Sequence, residues 1–131
     1  MANHFSQLAR KSRGNVSTCK VDKENIEEGP LEIFKLGHKA LRENAKRISK
    51  VDNDTRKVVT EMLQSMYGAK GIGLAGPQVG IHKELIVIDI NFEDSAAEPL
   101  ILINPEITAF GSTLNSYEEG CLSIPGVYLN V

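Results

Sequence analysis

The sequence has no tryptophan and only two cysteines, Cys19 and Cys121, among its 131 residues. Two cysteines cannot form the multi-disulfide framework that is typical of small secreted domains. We therefore expect both to be free thiols in a protein of a reducing compartment. Long apolar runs are also missing, because the longest, residues 85–90, is far shorter than the about 20 residues that a membrane-spanning helix needs. A membrane partner is not expected.

Charge of one sign is not in excess either. The chain has 15 lysines and arginines against 17 aspartates and glutamates, and its net charge is -2 at pH 7. Nucleic-acid-binding domains usually show a large basic excess, so direct contact with nucleic acid is not expected. Hydrophobic residues at 41% and charged residues at 24% are ordinary for a soluble globular protein, and the length is that of one domain.

Residues 1–29 are predicted to be a polar, basic N-terminal extension. Four lysines and arginines, and no acidic residue, precede Asp22. This composition fits a surface extension or an organelle transit peptide, and the acidic residues that follow Asp22 favour the surface extension. A cytoplasmic protein is therefore expected, with a plastid location as the alternative. Gly29 and Pro30 mark a boundary, and residues 30–131 form the predicted domain.

The rest of the sequence predicts one or two helices and several short strands. Residues 52–54 offer N-caps for a helix whose apolar residues recur at helical spacing, and Gly68 is placed to end it. The short apolar segments predicted to be strands are residues 85–90, 100–103 and 107–114. Short connections between them indicate an α+β fold in which short antiparallel strands pack on a helix, rather than alternating βαβ units.

A glycine-rich segment, residues 71–80, follows the predicted helix. It begins with a match to G-x-G-x-x-G, but a dinucleotide-binding loop needs a strand before it and a helix after it, and Pro77 disfavours a helix at that point. Two interpretations stay open. The glycines either form a turn in which two backbone segments pass closely, or they let a peptide substrate lie against this backbone. Gln78 adds an amide donor of the kind that stabilises an oxyanion.

Cys121 is the second residue that could carry chemistry. A single cysteine is most often a small buried residue. A nucleophilic cysteine would need a partner histidine, and His4, His38 and His82 show no spacing that indicates one. A metal-binding cysteine would need more ligands than one thiolate supplies. The residues alone leave these interpretations open.

Two segments together resemble the peptide deformylases. Residues 71–78, Gly-Ile-Gly-Leu-Ala-Gly-Pro-Gln, are similar to the first signature of this family, with Gly76 where the family usually has alanine. Residues 119–123, Glu-Gly-Cys-Leu-Ser, match the second signature. The resemblance covers residues 30–131 and implies a peptide deformylase-like α+β fold. The third signature of the family, H-E-x-x-H, does not occur before Val131, so we expect the fold to be C-terminally incomplete.

The resemblance implies a metal-dependent hydrolase of translation, which removes the formyl group from the N-terminal methionine of nascent polypeptides at the ribosome. In the family one cysteine and two histidines hold one divalent metal, most often Fe²⁺, with zinc, nickel or cobalt as substitutes. The two histidines belong to the third signature and are absent from this sequence. The residues carried over are Gln78, Leu122 and Gly73 as catalytic groups, Ile72 and Gly120 as substrate-binding groups, and Cys121 as the metal ligand.

Three hypotheses follow from the missing signature. The chain belongs to a deformylase whose remaining part is not in the sequence, it is a non-catalytic binder of nascent N-terminal peptides, or it is a non-functional truncated product. In each case we expect the given residues alone to be a poor or inactive catalyst, because one thiolate does not fix a metal and the general acid–base residue is absent. Glu118 and Glu119 are interpreted as strand-end charges rather than as that residue.

Overall fold

A computed structural model describes residues 19–131, and one α-helix lies within them. Helix α1 spans Asn53–Gly68, which confirms the predicted helix. It begins after Asp52, whose carboxylate accepts a hydrogen bond from the Thr55 backbone N–H at 2.9 Å and so satisfies one of the free donors of the first turn. Within residues 19–131 no helix is both long and apolar enough to span a membrane.

Three short strands form an antiparallel sheet that shares a hydrophobic core with α1. Strand β1 spans Gly73–Ala75, β2 spans Leu85–Ile88 and β3 spans Leu100–Ile103, in the spatial order β1-β2-β3. Leu85 and Val87 are buried because alternate side chains of β2 face the core. The other fully buried large side chains of the core are Met62, Leu63, Met66 and Leu74. The predicted α+β class and the first two predicted strands are confirmed.

A second, two-stranded antiparallel sheet was not predicted from the sequence. Strand β4 spans Glu118–Cys121 and β5 spans Ile124–Asn130. Every residue of both strands is exposed, whereas the connecting Leu122 packs against the core and Ser123 is buried. The β4–β5 hairpin is therefore attached to the rest of the domain at its turn.

The third predicted strand, residues 107–114, is wrong. The structure has no strand between β3 and β4, and Ile107, Phe110 and Leu114 are 75%, 86% and 95% exposed. A strand is stabilised by backbone hydrogen bonds to a neighbouring strand and by burial of one face. Among residues 19–131 no segment pairs with this one, so its apolar pattern has neither stabilising contribution.

Among the described residues no α-helix follows the glycine-rich segment, but Pro77 does not exclude a single helical turn. Gly76–Val79 forms a 3₁₀ turn with Pro77 in its first positions, where the fixed φ of the ring suits a helix and the missing N–H leaves no bond unmade. A Cβ atom at Gly76 would lie 2.5 Å from the Ile81 carbonyl oxygen. The glycine therefore permits the close passage of two backbone segments that was one of the open interpretations.

The described part of the predicted extension, residues 19–29, packs on the domain. Three of its apolar side chains lie against the hydrophobic core, namely Cys19, Val21 and Ile26. Gly29 passes so close to α1 that a Cβ atom would lie 2.0 Å from the Ser65 Cα atom. Residues 1–18, on which the transit-peptide alternative rests, lie outside the described residues. The packing of the described chain thus begins ahead of the predicted domain boundary.

A buried ion pair ties this segment to the residue that follows β2. The Lys23 Nζ atom lies 2.7 Å from the Asp89 Oδ2 atom, and the Tyr67 hydroxyl donates to the same oxygen at 2.7 Å. The side chains of Lys23 and Asp89 are 5% and 2% exposed. Burial by itself raises the pKa of the Asp89 carboxyl, but hydrogen bonds from Lys23, Tyr67 and the Asn91 backbone N–H, together with the Lys23 charge, outweigh burial and hold that pKa below its usual range. The buried Asp89 carboxylate is therefore stabilised in its charged form by the Lys23 ammonium group.

Replacing Lys23 with methionine is expected to lower the free energy of unfolding by about 3 kcal/mol, because the buried Asp89 carboxylate loses its cation. The pH dependence should change as well. With Lys23 present, the pKa of Asp89 is lower in the folded than in the unfolded state, so the pair stabilises the fold above the unfolded pKa and this contribution is lost as the pH falls through the folded pKa. In the variant, the hydrogen bond and the charge of Lys23 no longer lower the pKa of Asp89, so the loss of stability on acidification should be smaller than in the wild-type protein.

Urea unfolding of both proteins at acidic and neutral pH measures this effect. The matched control is Lys20→Met, because Lys20 is an exposed lysine of the same segment. The control should change the unfolding free energy by no more than about 0.5 kcal/mol. Equal losses for the two variants at neutral pH would contradict the assigned role of the Lys23 ammonium group.

Candidate functional site

The glycine-rich segment and the cysteine-containing segment meet at one cleft. A cavity of about 700 Å³ lies between the loop that leads into β1 and the β4–β5 hairpin. Every site residue predicted from the sequence lines this cavity, namely Ile72, Gly73, Gln78, Gly120, Cys121 and Leu122. The fold therefore brings residues 72–78 next to residues 120–122, although two strands and a long exposed segment lie between them in the sequence.

The Gln78 side-chain amide is held in one orientation in this cleft. It extends from the 3₁₀ turn after β1, and its Oε1 atom accepts a hydrogen bond from the Ala75 backbone N–H at 2.9 Å. Because only the carbonyl end of an amide can accept, this bond fixes which end of the side chain faces Ala75. The Nε2 atom at the other end lies 3.7 Å from Cys121 Sγ and 3.1 Å from Ser123 Oγ. The donor end of the amide therefore faces the cysteine.

Cys121 is positioned by the turn that follows it. The Leu122 side chain packs against Gly71, where a Cβ atom would lie 2.5 Å from the Leu122 Cδ1 atom, so a side chain at position 71 would displace this leucine. The Leu122 carbonyl accepts from Lys35 Nζ at 3.1 Å, and the Ser123 carbonyl accepts from the Leu36 N–H at 2.8 Å. Bonds on two successive carbonyls fix the peptide planes of the turn, and with them the placement of the preceding sulfur atom.

The two sides of the cleft present strand backbone together with side chains such as that of Tyr128. β1 is an edge strand of its sheet, and the Ile72 carbonyl just before it accepts from the Asp89 N–H at 2.9 Å. Across the cleft, a Cβ atom at Gly120 would lie 2.7 Å from the Tyr128 Cε1 atom, so glycine lets this ring lie close to β4. An extended peptide has the right shape for such a cleft, because it can pair with an exposed strand edge.

Sequence reasoning missed two residues of this arrangement. Ser123 is the last residue of the second signature, yet no sequence pattern indicates that its hydroxyl contacts Gln78. Lys35 lies in an extended segment far from both signatures, and its contact with Leu122 carries no sequence signal at all. The serine two residues after the proposed ligand is the feature that sequence analysis could have examined further.

The two described histidines are engaged elsewhere. The His38 ring stacks on Phe34 with the ring centroids 3.9 Å apart, and His82 Nδ1 lies 3.1 Å from Glu43 Oε2. Neither histidine lines the cleft. His4 lies outside the described residues. A cysteine–histidine pair for nucleophilic catalysis is therefore not formed by the described histidines.

The cleft contains a residue that can bind a metal ion. Cys121 is an exposed free thiol, which is a suitable metal ligand once deprotonated. In the part of the chain that the structure describes, no group of three or more His, Cys, Asp or Glu side chains is placed to hold a metal ion. Metal sites of this ligand type use three or four protein ligands. The described residues thus offer one ligand and do not form a metal site by themselves.

Comparisons with known proteins identify relatives of the chain. A family model described as polypeptide deformylase matches residues 30–131. A peptide deformylase of Prochlorococcus marinus (strain MIT 9515) is 79% identical over all of this chain, which covers 64% of that relative. A peptide deformylase of Parasynechococcus marenigrum (strain WH8102) is 56% identical, and the chain covers 65% of it. The chain therefore spans slightly less than two thirds of the length of these curated relatives.

Solved structures share the fold. The crystal structure of a peptide deformylase from Synechococcus elongatus in complex with actinonin is 53% identical, with a TM-score of 0.82 over 86% of this chain and 61% of that chain. The crystal structure of a peptide deformylase from Thermotoga maritima is 36% identical, with a TM-score of 0.70 over 77% of this chain and 65% of that chain. The likeness extends from the sequence to the arrangement of α1 and the short strands.

Proposed function

The chain belongs to the peptide deformylase family, and from this premise we propose that the full-length protein removes the formyl group from the N-terminal methionine of nascent polypeptides. The observation that carries the proposal is the distance of 3.7 Å between Gln78 Nε2 and Cys121 Sγ, because it joins the two signature segments in one cleft. The described residues would supply the oxyanion-binding and substrate-binding parts of the site.

The reaction is hydrolysis of a formamide. Water adds to the formyl carbon, the bond between that carbon and the amide nitrogen breaks, and the products are formate and a free methionine amine. Negative charge develops on the formyl oxygen during the addition. We assign the stabilisation of this charge to the Gln78 side-chain N–H and the Leu122 backbone N–H, since preorganised donors of this kind are among the strongest contributors to such catalysis. Gly73 lies beside them in the cleft and leaves room for the substrate.

The family is a class of metalloenzymes, and we assign Cys121 as one ligand of a divalent metal that activates the water. Fe²⁺ is the proposed metal, with zinc, nickel or cobalt as alternatives. The other proposed ligands are the two histidines of the H-E-x-x-H signature, which does not occur in this sequence.

The substrate is proposed to be an extended N-formyl-methionyl peptide as it leaves the ribosome in the cytoplasm. Ile72 and Gly120 lie on opposite sides of the cleft, and we assign the free backbone edge at each of them to pair with the substrate, since the Ile72 carbonyl already accepts from the Asp89 N–H. Pairing through the backbone is tolerant of side-chain identity. This tolerance suits an enzyme that meets the N-termini of many different proteins.

Formate release from a formyl-methionyl peptide by the full-length protein, purified without oxygen, tests this function. We expect turnover of the formyl peptide and none of an acetyl-methionyl peptide of the same sequence, which adds one methyl group at the reacting carbon. Binding of the formyl peptide without formate release would support the non-catalytic peptide binder instead. Neither binding nor release would favour the non-functional product.

A further inference from the structure

We propose that Ser123 is a positioning residue, whose hydroxyl determines which amide hydrogen of Gln78 is available to the substrate. The proposal rests on the proposed function of the cleft. Ser123 is 4% exposed, and its carbonyl is held by the Leu36 N–H at 2.8 Å. Its Oγ atom lies 3.1 Å from Gln78 Nε2. A buried hydroxyl with a fixed backbone is a rigid reference point for the side chain that it contacts.

The Gln78 amide is held at both ends. Oε1 accepts from the Ala75 N–H at 2.9 Å, and Nε2 donates to Ser123 Oγ. A single contact would leave the amide plane free to rotate about the bond that carries it. Two contacts on opposite ends define the plane, so the direction of every remaining hydrogen is set before a substrate arrives.

One of the two amide hydrogens of Gln78 remains available to a substrate. The Gln78 amide nitrogen carries two hydrogens. Ser123 accepts one of them, and the second is directed to Cys121 Sγ across 3.7 Å. The Nε2–Sγ distance of 3.7 Å makes this a long contact, whereas an oxygen that gains negative charge accepts a short and strong hydrogen bond. A developing oxyanion therefore displaces the sulfur from this hydrogen at little cost, while the bond to Ser123 stays in place.

The contribution of Ser123 is therefore one of orientation. Without the hydroxyl, Nε2 keeps both hydrogens but loses the bond that assigns one of them to the cleft. Substrate binding through the backbone of Ile72 and Gly120 would not change, because Ser123 does not lie among the residues that line the cleft. The loss should appear in the chemical step and not in substrate affinity.

Steady-state kinetics of the full-length protein test this role. We expect Ser123→Ala to lower kcat about tenfold and to leave KM unchanged within about twofold, as one oriented hydrogen bond is lost. Ser123→Thr keeps the hydroxyl and should recover most of the rate. In a Gln78→Leu background, Ser123→Ala should have no further effect, since the side chain that it orients is gone. A loss of equal size in both backgrounds would overturn the proposal.

The matched control is Ser65→Ala, because Ser65 is another buried serine whose hydroxyl is hydrogen-bonded, in α1. It should leave kcat unchanged. Nuclear magnetic resonance of the Gln78 side-chain amide gives a readout that does not depend on activity. Ser123→Ala should move these two amide signals and speed their exchange with water, whereas Ser65→Ala should not. Unchanged amide signals in Ser123→Ala would overturn the proposal about Ser123, whether or not the wild-type protein releases formate. Absence of formate release by the wild-type protein would overturn only the proposed function.

Discussion

Replacing Cys121 with serine is expected to remove the metal from the full-length protein and to lower its deformylase activity by at least about a hundredfold, since even residues that only support metal ligands cost up to that factor. Serine is close to cysteine in shape, so the β4–β5 hairpin should fold as before. Its hydroxyl, however, is not deprotonated near neutral pH, whereas a thiol becomes a thiolate readily. Metal analysis of the purified protein and the rate of formate release together measure the effect.

The chain provides its own control for this variant. Cys19 is the other free thiol, and it lies against the hydrophobic core rather than in the cleft. Cys19→Ser should leave both metal content and rate unchanged within about twofold, because it touches no part of the proposed machinery. A Cys121→Ser protein that kept its full metal content and full rate would show that the ligand assignment is wrong.

Replacing Gln78 with leucine is expected to lower kcat about a hundredfold to a thousandfold and to leave metal content unchanged, because it deletes one oxyanion donor. Leucine is close to glutamine in size, so the 3₁₀ turn after β1 should persist. KM should change little, since the amide is assigned to the transition state rather than to substrate binding. Rate and metal content measured on the same preparation distinguish this effect from loss of the metal.

Gln64→Leu is the matched control, because it makes the same substitution on α1 at a partly buried position away from the cleft. It should have no effect on kcat. Undiminished turnover by Gln78→Leu would contradict the oxyanion assignment. Loss of metal along with activity would show that Gln78 acts through the surroundings of Cys121 and not on the substrate.

The parts of the fold that were predictable are those with a strong local pattern. α1 combines the N-cap Asp52 with apolar side chains at helical spacing, and both signals act within a few residues of the chain. In β2 the buried Leu85 and Val87 belong to a short apolar run bounded by polar residues. Where local sequence and burial agree in this way, the sequence alone is sufficient.

The parts that were not predictable depend on contacts between distant residues. The strand predicted at residues 107–114 has an apolar pattern but no neighbour to pair with among residues 19–131. The β4–β5 hairpin is the opposite case, because its two strands pair with each other although neither is buried. Its sequence therefore has no alternation of apolar and polar residues that would predict strands. Lys23 looks like an ordinary surface lysine until the fold brings it to Asp89.

The candidate site was reached by resemblance and not by residue chemistry. Composition and spacing left Cys121 open between a buried residue, a nucleophile and a metal ligand. The two signature segments favour the interpretation of Cys121 as a metal ligand. In the structure, residues of both segments line one cleft. The contacts that hold the site, those of Ser123 and Lys35, join positions far apart in the chain, which no local pattern can show.

The Lys23–Asp89 pair has a consequence that reaches as far as the cleft. The Asp89 side chain pairs with Lys23, and its backbone N–H donates to the Ile72 carbonyl. This one residue therefore connects the N-terminal segment to the strand edge that is proposed to bind the substrate. The family match, residues 30–131, leaves Lys23 out. Removal of residues 1–29 would therefore take away the cation of the buried Asp89 carboxylate and should loosen the strand edge on which a peptide has to lie.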